Sequence, residues 1–273
     1  MNREKRKQFI MNDLASKLKW LEDNTEHNVI YIALQGSQNY DMDIYTDDYT
    51  SDIDAKAIIL PSFDDILKGR NFFSHTYIME DNSHIDVKDI RLYIDLWKKA
   101  NPAYLEILFT EFYIMNNTKF KQILDLADAI AKANISRLFS CIKGMQMEKY
   151  KALKHPYPTV RDKIDKYGYD PKQYHHIIRL YYFIRDLCEY NFNFKEALVI
   201  NNTVDKELCL NAKIHPCRLA VAESTAVTFM ESADYIINNY RLLQEPFVDS
   251  ETYAELEIII YDIIKEECRK NLV

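Results

Sequence analysis

The sequence predicts an α+β protein, a mixed β-sheet with helices at the front followed by an all-helical C-terminal domain. Short β-rich runs punctuated by Gly36 and Pro61 recur in the first part, and from about residue 119 apolar residues recur at helical spacing almost to the end. Composition agrees. In 273 residues, 48% hydrophobic content can fill a core, while only 4 Gly argue against a Gly-rich Rossmann or Walker loop. The expected domains are residues 1–115 and 116–273.

Residues 3–22 place Phe9, Ile10, Leu14, Leu18 and Leu21 among Lys, Arg and Glu, the pattern of an amphipathic helix with a solvated basic face. Val29 to Leu34 is a short apolar run ending near Gly36, a buried strand and its turn. Tyr40 to Thr50 is rich in Asp and Tyr without aliphatic periodicity, and reads as an exposed loop. The run 53–60 returns to strand character and stops at Pro61, after which Ser62 can cap a short helix over 63–67. Two further strands are expected at 72–79 and 84–88. Asp89 then precedes a helical pattern through Leu92, Tyr93, Leu96 and Trp97, and Asn101-Pro102 opens another. The helical remainder is interrupted by HPYP at 155–158, KYGYDP at 166–171 and Glu245-Pro246.

Net charge is −7, which does not mark the whole chain as a nucleic-acid binder. Its distribution is uneven: residues 134–220 hold 15 Lys/Arg against 9 Asp/Glu, and residues 221–273 hold 4 against 11. The 5 cysteines form no CxxC pair or zinc spacing, so reduced thiols and a cytoplasmic location are expected. No signal-peptide core and no apolar run near the roughly 20 residues of a membrane span is present, so no membrane partner is expected.

Three pieces of the front part carry chemistry together: Gly36-Ser37 after a buried strand, Asp52-Ile53-Asp54 opening the next, and Asp86 on a later one. Strand alternation turns Asp52 and Asp54 to one face and sets Asp86 opposite Ile85 and Val87. Three carboxylates can thus converge. They repel one another unless a cation neutralises them, and hard oxygen ligands suit Mg²⁺ or Mn²⁺. Two such ions can activate a hydroxyl and stabilise a leaving pyrophosphate. Gly36 permits close backbone approach to phosphates, and Ser37 supplies a hydroxyl and an N–H.

This order resembles the polymerase-β-like nucleotidyltransferase superfamily, whose signature is a GS or GG turn, a D-x-D strand and a third carboxylate strand. Within it, GSQNY, SDIDAKAIILPSF and VKDIRLYIDLWKKANPAYLEILF resemble a bacterial and phage branch linked to RNA repair operons, over residues 29–110. The resemblance implies a minimal nucleotidyltransferase core that transfers a nucleoside monophosphate from a nucleoside triphosphate to an acceptor hydroxyl. Asp52, Asp54 and Asp86 would be the catalytic metal ligands, and Gly36 and Ser37 would bind nucleotide. RNA 3′ ends are the acceptor it favours; a protein partner, a small molecule and a non-catalytic nucleotide sensor are the alternatives. The chain departs from the pattern in a long gap between Ser37 and Asp52 and in Asp41 where Gly is common.

The likeness extends into KYGYDPKQYHHIIRL, where Lys172, His175, His176 and Arg179 fall on one helical face. Lys172, His176 and Arg179 could hold a triphosphate; a solvated helix face is the competing reading. A zinc site at His175 and His176 is rejected for want of further ligands at suitable spacing. Asp41, Asp43, Asp47 and Asp48 read as solvated loop carboxylates. Lys56 and Lys88 share faces with Asp54 and Asp86 and can contact phosphate or pair with a carboxylate. Asp89 reads as a helix cap and Glu106, among apolar residues, as structural.

Overall fold

The computed structural model describes residues 3–45, 50–243 and 247–270; Asp47, Asp48, Glu245 and Pro246 lie outside them. The chain divides into two compact units, Met1–Asn134 with Val248–Val273, and Ile135–Phe247. The expected boundary at residue 115 thus falls inside the first unit, which also takes back the end of the chain.

The first unit opens with α1 (Arg3–Asn24) and β1 (Asn28–Gln35), followed by β2 (Asp54–Leu60), α2 (Phe63–Leu67), β3 (Ser74–Ile78) and β4 (His84–Asp89). It continues through α3 (Ile90–Lys98), α4 (Pro102–Leu105), β5 (Tyr113–Met115), α5 (Phe120–Asp125) and α6 (Ala127–Lys132). Local chemistry explains the boundaries. Ser62 and Asp65 cap α2 reciprocally, Asp89 accepts the Arg91 N–H at the start of α3, and Asn101 caps α4 with Pro102 at its first position.

The sheet is mixed, in the order β3-β4-β2-β1-β5. β2 pairs parallel to β4 and antiparallel to β1, while β3 and β5 pair antiparallel at the edges. Alternation then sorts the side chains. Ala55, Ala57 and Ile59 of β2, with Ile85 and Val87 of β4, pack into the core formed with Ile10, Leu14, Leu18 and Leu21 of α1. Asp54, Lys56, Asp86 and Lys88 alternate with them and are left to the opposite face. That face is partly covered by the segment after α3, which Trp97 braces by donating its indole N–H to the Tyr104 carbonyl at 2.9 Å.

The short strand β5 was not expected from the sequence. Its three residues, Tyr113 to Met115, are too few to show a period, and they become a strand by pairing with β1.

The second unit contains α7 (Ile135–Ala152), α8 (Arg161–Tyr167), α9 (Pro171–Glu189), α10 (Phe194–Ala197), α11 (Thr203–Ile214) and α12 (Leu219–Leu243). Helix α9 is its centre, packing against α7, α10, α11 and α12. The last helix, α13 (Ser250–Lys270), belongs to the first unit. It buries Tyr253, Leu256, Ile260 and Ile263, one helical stripe, and its Glu257 and Glu266 pair with Lys98 and Lys119.

Tyr31 is buried at 1% exposure and donates its hydroxyl to the Ile107 carbonyl at 2.6 Å, tying β1 to the segment after α4. Tyr31→Phe leaves that carbonyl unpaired in an apolar setting and is expected to lower stability by about 1–3 kcal/mol. Urea unfolding measures this; an unchanged midpoint would mean that the bond contributes nothing net.

Candidate active site

The chemistry-bearing face of the sheet opens into a cleft of about 330 Å³ lined by Gln35, Asp54, Ala55, Lys56, Thr76, His84, Asp86, Lys88 and Tyr104. All of it lies in the first unit. The parallel register sets Lys56 directly beside Asp86 and Ala55 beside Ile85, so Asp54 sits one step along the same face. Of the three expected carboxylates, the structure brings Asp54 and Asp86 into one cleft. Asp52 precedes β2, is exposed, and is not among the cleft residues. Its backbone carbonyl accepts from the Gln38 side chain at 2.7 Å, which ties the 52–54 approach to the Gly36 turn.

Asp86 is the electrostatic centre. Lys56 Nζ lies 3.3 Å from one carboxylate oxygen and Lys88 Nζ 2.8 Å from the other, and the Tyr104 hydroxyl donates to Asp86 at 3.3 Å. Lys56 also donates to Gln35 and lies 4.4 Å from the centre of the Tyr104 ring. Burial works to raise the Asp86 pKa, but the two ammonium groups outweigh it and hold the carboxyl below its ordinary value. Burial dominates at Lys56 and lowers its pKa despite Asp86, while burial and the Asp86 charge push the Tyr104 phenol up. Of the two roles open to Lys56 and Lys88, the carboxylate pairing is the one present.

Asp54 accepts the His84 backbone N–H at 2.8 Å, and the His84 imidazole Nδ1 lies 3.2 Å from the same oxygen. His84 escaped the sequence reading, although it stands two residues before Asp86 on the same strand face; Tyr104 gave no local signal at all.

The turn after β1 is built by Gly36, whose φ of 105° and ψ of −151° suit only a residue without a Cβ. Ser37–Tyr40 form one 3₁₀ turn, closed by Asp41 in the left-handed region. Glu106 receives the Gly36 N–H at 3.3 Å and the Tyr40 hydroxyl. In the following loop, Arg6 of α1 grips Asp43 through two nitrogens, at 2.6 and 2.7 Å, and lies 3.4 Å from Asp41. Arg6 of the basic face and two of the loop carboxylates, all expected to be solvated, are therefore partners, while Arg3, Lys5 and Lys7 are exposed as expected.

Lys172, His176 and Arg179 lie on α9 in the second unit. Lys172 is exposed and His176 half-buried, whereas Arg179 is buried at 8% exposure. His175 is buried with Nδ1 2.7 Å from the Cys209 carbonyl, and burial pushes its pKa down to about 3. The face they share is in large part interior, which the spacing could not reveal.

Residues 10–200, which include the Gly36 turn and both cleft carboxylates, match RlaP, described as the RNA repair pathway DNA polymerase beta family. The chain belongs to that family. This polymerase beta family is a nucleotidyltransferase family, and membership supports a transferase role. No protein of curated function matches the chain. Among solved structures, a nucleotidyltransferase-like protein from Exiguobacterium sibiricum is similar at 10% identity, covering 96% of this chain and 92% of that one. Its TM-score of 0.28 makes this likeness too loose to bear on mechanism.

Polymerase beta-like nucleotidyltransferases generally use divalent metals. In donor chemistry Asp54 and Asp86 fit such an ion, two hard carboxylates facing one cleft. In arrangement they do not close on one: lysines hold both Asp86 oxygens, and no cluster of three ligating side chains occurs among the described residues. Nor is any described helix long and apolar enough to cross a membrane.

Removing the Asp86 charge strands the buried Lys56 ammonium. Asp86→Asn is expected to lower stability at about pH 7 by roughly 1–3 kcal/mol, whereas Asp86→Leu combined with Lys56→Met loses less. Because the folded pKa of Asp86 lies below its unfolded value, its contribution is present above the ordinary carboxylate range and disappears as pH falls through the folded value. Asp86→Asn should therefore also flatten the acid limb of the stability profile. Urea unfolding across pH tests both; a double variant no more stable than Asp86→Asn contradicts the stranded-ammonium account.

Proposed function

We propose that this chain transfers a nucleoside monophosphate from a nucleoside triphosphate to an acceptor hydroxyl, releasing pyrophosphate. The observation that carries the reading is the cleft shared by Asp54 and Asp86 on paired strands, beside the Gly36-Ser37 turn, in a member of a polymerase beta family. Asp54 and Asp86 would hold a divalent cation, Mg²⁺ or Mn²⁺, in exchange for the lysines that now hold Asp86, and Asp52, which does not line the cleft, is proposed as the third carboxylate. Such an ion, when bound, stabilises charge on the phosphate oxygens as a Lewis acid.

The chain's own groups have definable work. Lys56 and Lys88 keep Asp86 ionised, so that it stays an anionic acceptor able to orient an acceptor hydroxyl or a cation. His84 holds Asp54 in place from both its backbone and its ring. Gly36 and Ser37 present the turn to the triphosphate. Of Lys172, His176 and Arg179, only the exposed Lys172 is proposed to contact phosphate, since Arg179 is buried and desolvation keeps His176 neutral. RNA is the acceptor class we propose, supported by the family description and by the basic excess in residues 134–220. Five free cysteines suit a reducing, cytoplasmic setting.

One observation favours a second reading. With both Asp86 oxygens held by lysines, the cleft is already balanced in charge, as a nucleotide sensor that binds without turnover would be.

Pyrophosphate release separates the two. With each NTP, Mg²⁺ or Mn²⁺ and an RNA with a free 3′ hydroxyl, the wild type is expected to release pyrophosphate and to extend the RNA. Asp54→Asn should reduce the rate at least about a hundredfold while keeping its melting temperature. A metal-dependent thermal shift with one NTP but no pyrophosphate, with any acceptor, would favour the sensor; full activity in Asp54→Asn would sink the assignment.

A further inference from the structure

The segment after α3 reaches the site at two points, and only one of them touches the carboxylates. Tyr104 reaches Asp86. Two residues on, Glu106 is 1% exposed and its two oxygens go to the two ends of one turn: Oε1 receives the backbone N–H of Gly36, and Oε2 receives the hydroxyl of Tyr40. A buried carboxylate is costly unless its oxygens are satisfied, so where they are satisfied is where the residue acts.

The middle of the turn is held elsewhere: the buried Gln38 side chain donates to the Asp52 carbonyl at 2.7 Å, and Arg6 donates to the Gln38 carbonyl at 2.8 Å. Gly36 has no side chain and sits at φ 105°, so its own preferences do not select this conformation. The 3₁₀ turn is closed by Asn39 N–H on the Gly36 carbonyl at 3.0 Å and Met42 N–H on the Ser37 carbonyl at 3.0 Å, and both bonds lie within the turn. What relates it to the sheet comes from outside. Glu106 grips its first N–H and its last side chain, and Thr110, four residues on, donates to the Asn39 side chain at 2.6 Å. The Asn39 amide in turn donates to the Leu34 carbonyl at 2.9 Å. The 106–110 segment is itself fixed to β1 by the Tyr31 hydroxyl.

We propose that Glu106 is a positioning residue for nucleotide binding: it holds the Gly36–Tyr40 turn at the height and orientation in which Ser37 meets the phosphates. This rests on the nucleotidyl-transfer reading above and deepens it. Glu106 touches no reacting atom; it acts through the turn. The Gly36 N–H, being committed to Glu106, is a structural anchor, and direct phosphate contact falls to the residues after it.

The chemistry selects the variants. Glu106→Gln retains an oxygen for the Gly36 N–H and an amide group for the Tyr40 hydroxyl. Glu106→Leu keeps similar bulk and loses both bonds. Tyr40→Phe removes one bond and guards against a Leu variant that fails to fold. Amide hydrogen exchange over residues 36–40 reads the anchor directly, and KM for the preferred NTP against kcat reads its consequence.

Glu106→Leu is expected to speed exchange in the turn by about tenfold or more, with β1 and β2 still protected, and to raise KM by about tenfold or more. Tyr40→Phe should do so in part, and Glu106→Gln should stay near the wild type in both. A lower melting temperature with unchanged KM and unchanged turn exchange would make Glu106 a packing residue and overturn the proposal. So would faster exchange without any change in KM. If the wild type turns over no NTP, the transfer reading falls, and exchange judges the anchor by itself: loss in Glu106→Leu with recovery in Glu106→Gln upholds it, and unchanged protection overturns it.

Discussion

The parallel pairing of β2 with β4 is the constraint on which the site depends. It puts Lys56 directly opposite Asp86 in the sheet. An ammonium at this depth, 4% exposed in its side chain, must have a counter-charge, and Asp86 is the carboxylate the register supplies. Everything nearby is arranged around that pair. Lys88 takes the second oxygen, Gln35 takes another Lys56 proton, and Tyr104 both lies under the ammonium and donates to the carboxylate. The same register sends Ile85 and Val87 into the apolar core against α1. Shifting β4 by one residue would exchange the two sets, exposing isoleucine and burying an unpaired Asp86. Core packing and site chemistry therefore enforce the same alignment.

Around this pair the first unit is held by contacts between distant segments. Arg6 at the start of the chain fixes Asp43 in the loop that follows the Gly36 turn. Glu106 and Thr110 hold the turn itself, and the last helix returns to pair Glu257 with Lys98 of α3 and Glu266 with Lys119. Exposed pairs of that kind contribute little each. The apolar stripe of α13 is the larger reason for its return. A cleft bordered by an anchored turn and a register-locked strand pair is preorganised, which is what an electrostatic site needs in order to act on phosphate charge.

The second unit shows how a pattern of residue types can mislead about exposure. Lys172, His175, His176 and Arg179 have the spacing of a basic surface stripe, yet α9 is the central helix of its unit, and His175 and Arg179 are interior. Desolvation holds both imidazoles well below their ordinary pKa, and His175 is hydrogen-bonded to the Cys209 carbonyl. Helical period identifies which residues share a face, and it is silent on which helix occupies the centre.

By itself the sequence determined what depends on neighbours a few residues apart. The strands β1, β2 and β4, the Gly36 turn, the caps at Ser62 and Asp89, and the opposite facing of Asp86 to Ile85 and Val87 all follow from alternation, side-chain hydrogen bonding and glycine's freedom. Tertiary structure alone decided the rest: that β5 exists, that Asp52 stands outside the cleft, that Lys56 and Lys88 close on Asp86, that Glu106 serves the turn, and that α13 rejoins the first unit. These join residues far apart in the chain, and such partners are chosen by strand register and by which buried charges and apolar stripes remain to be satisfied once the core closes, quantities that no local window of sequence contains.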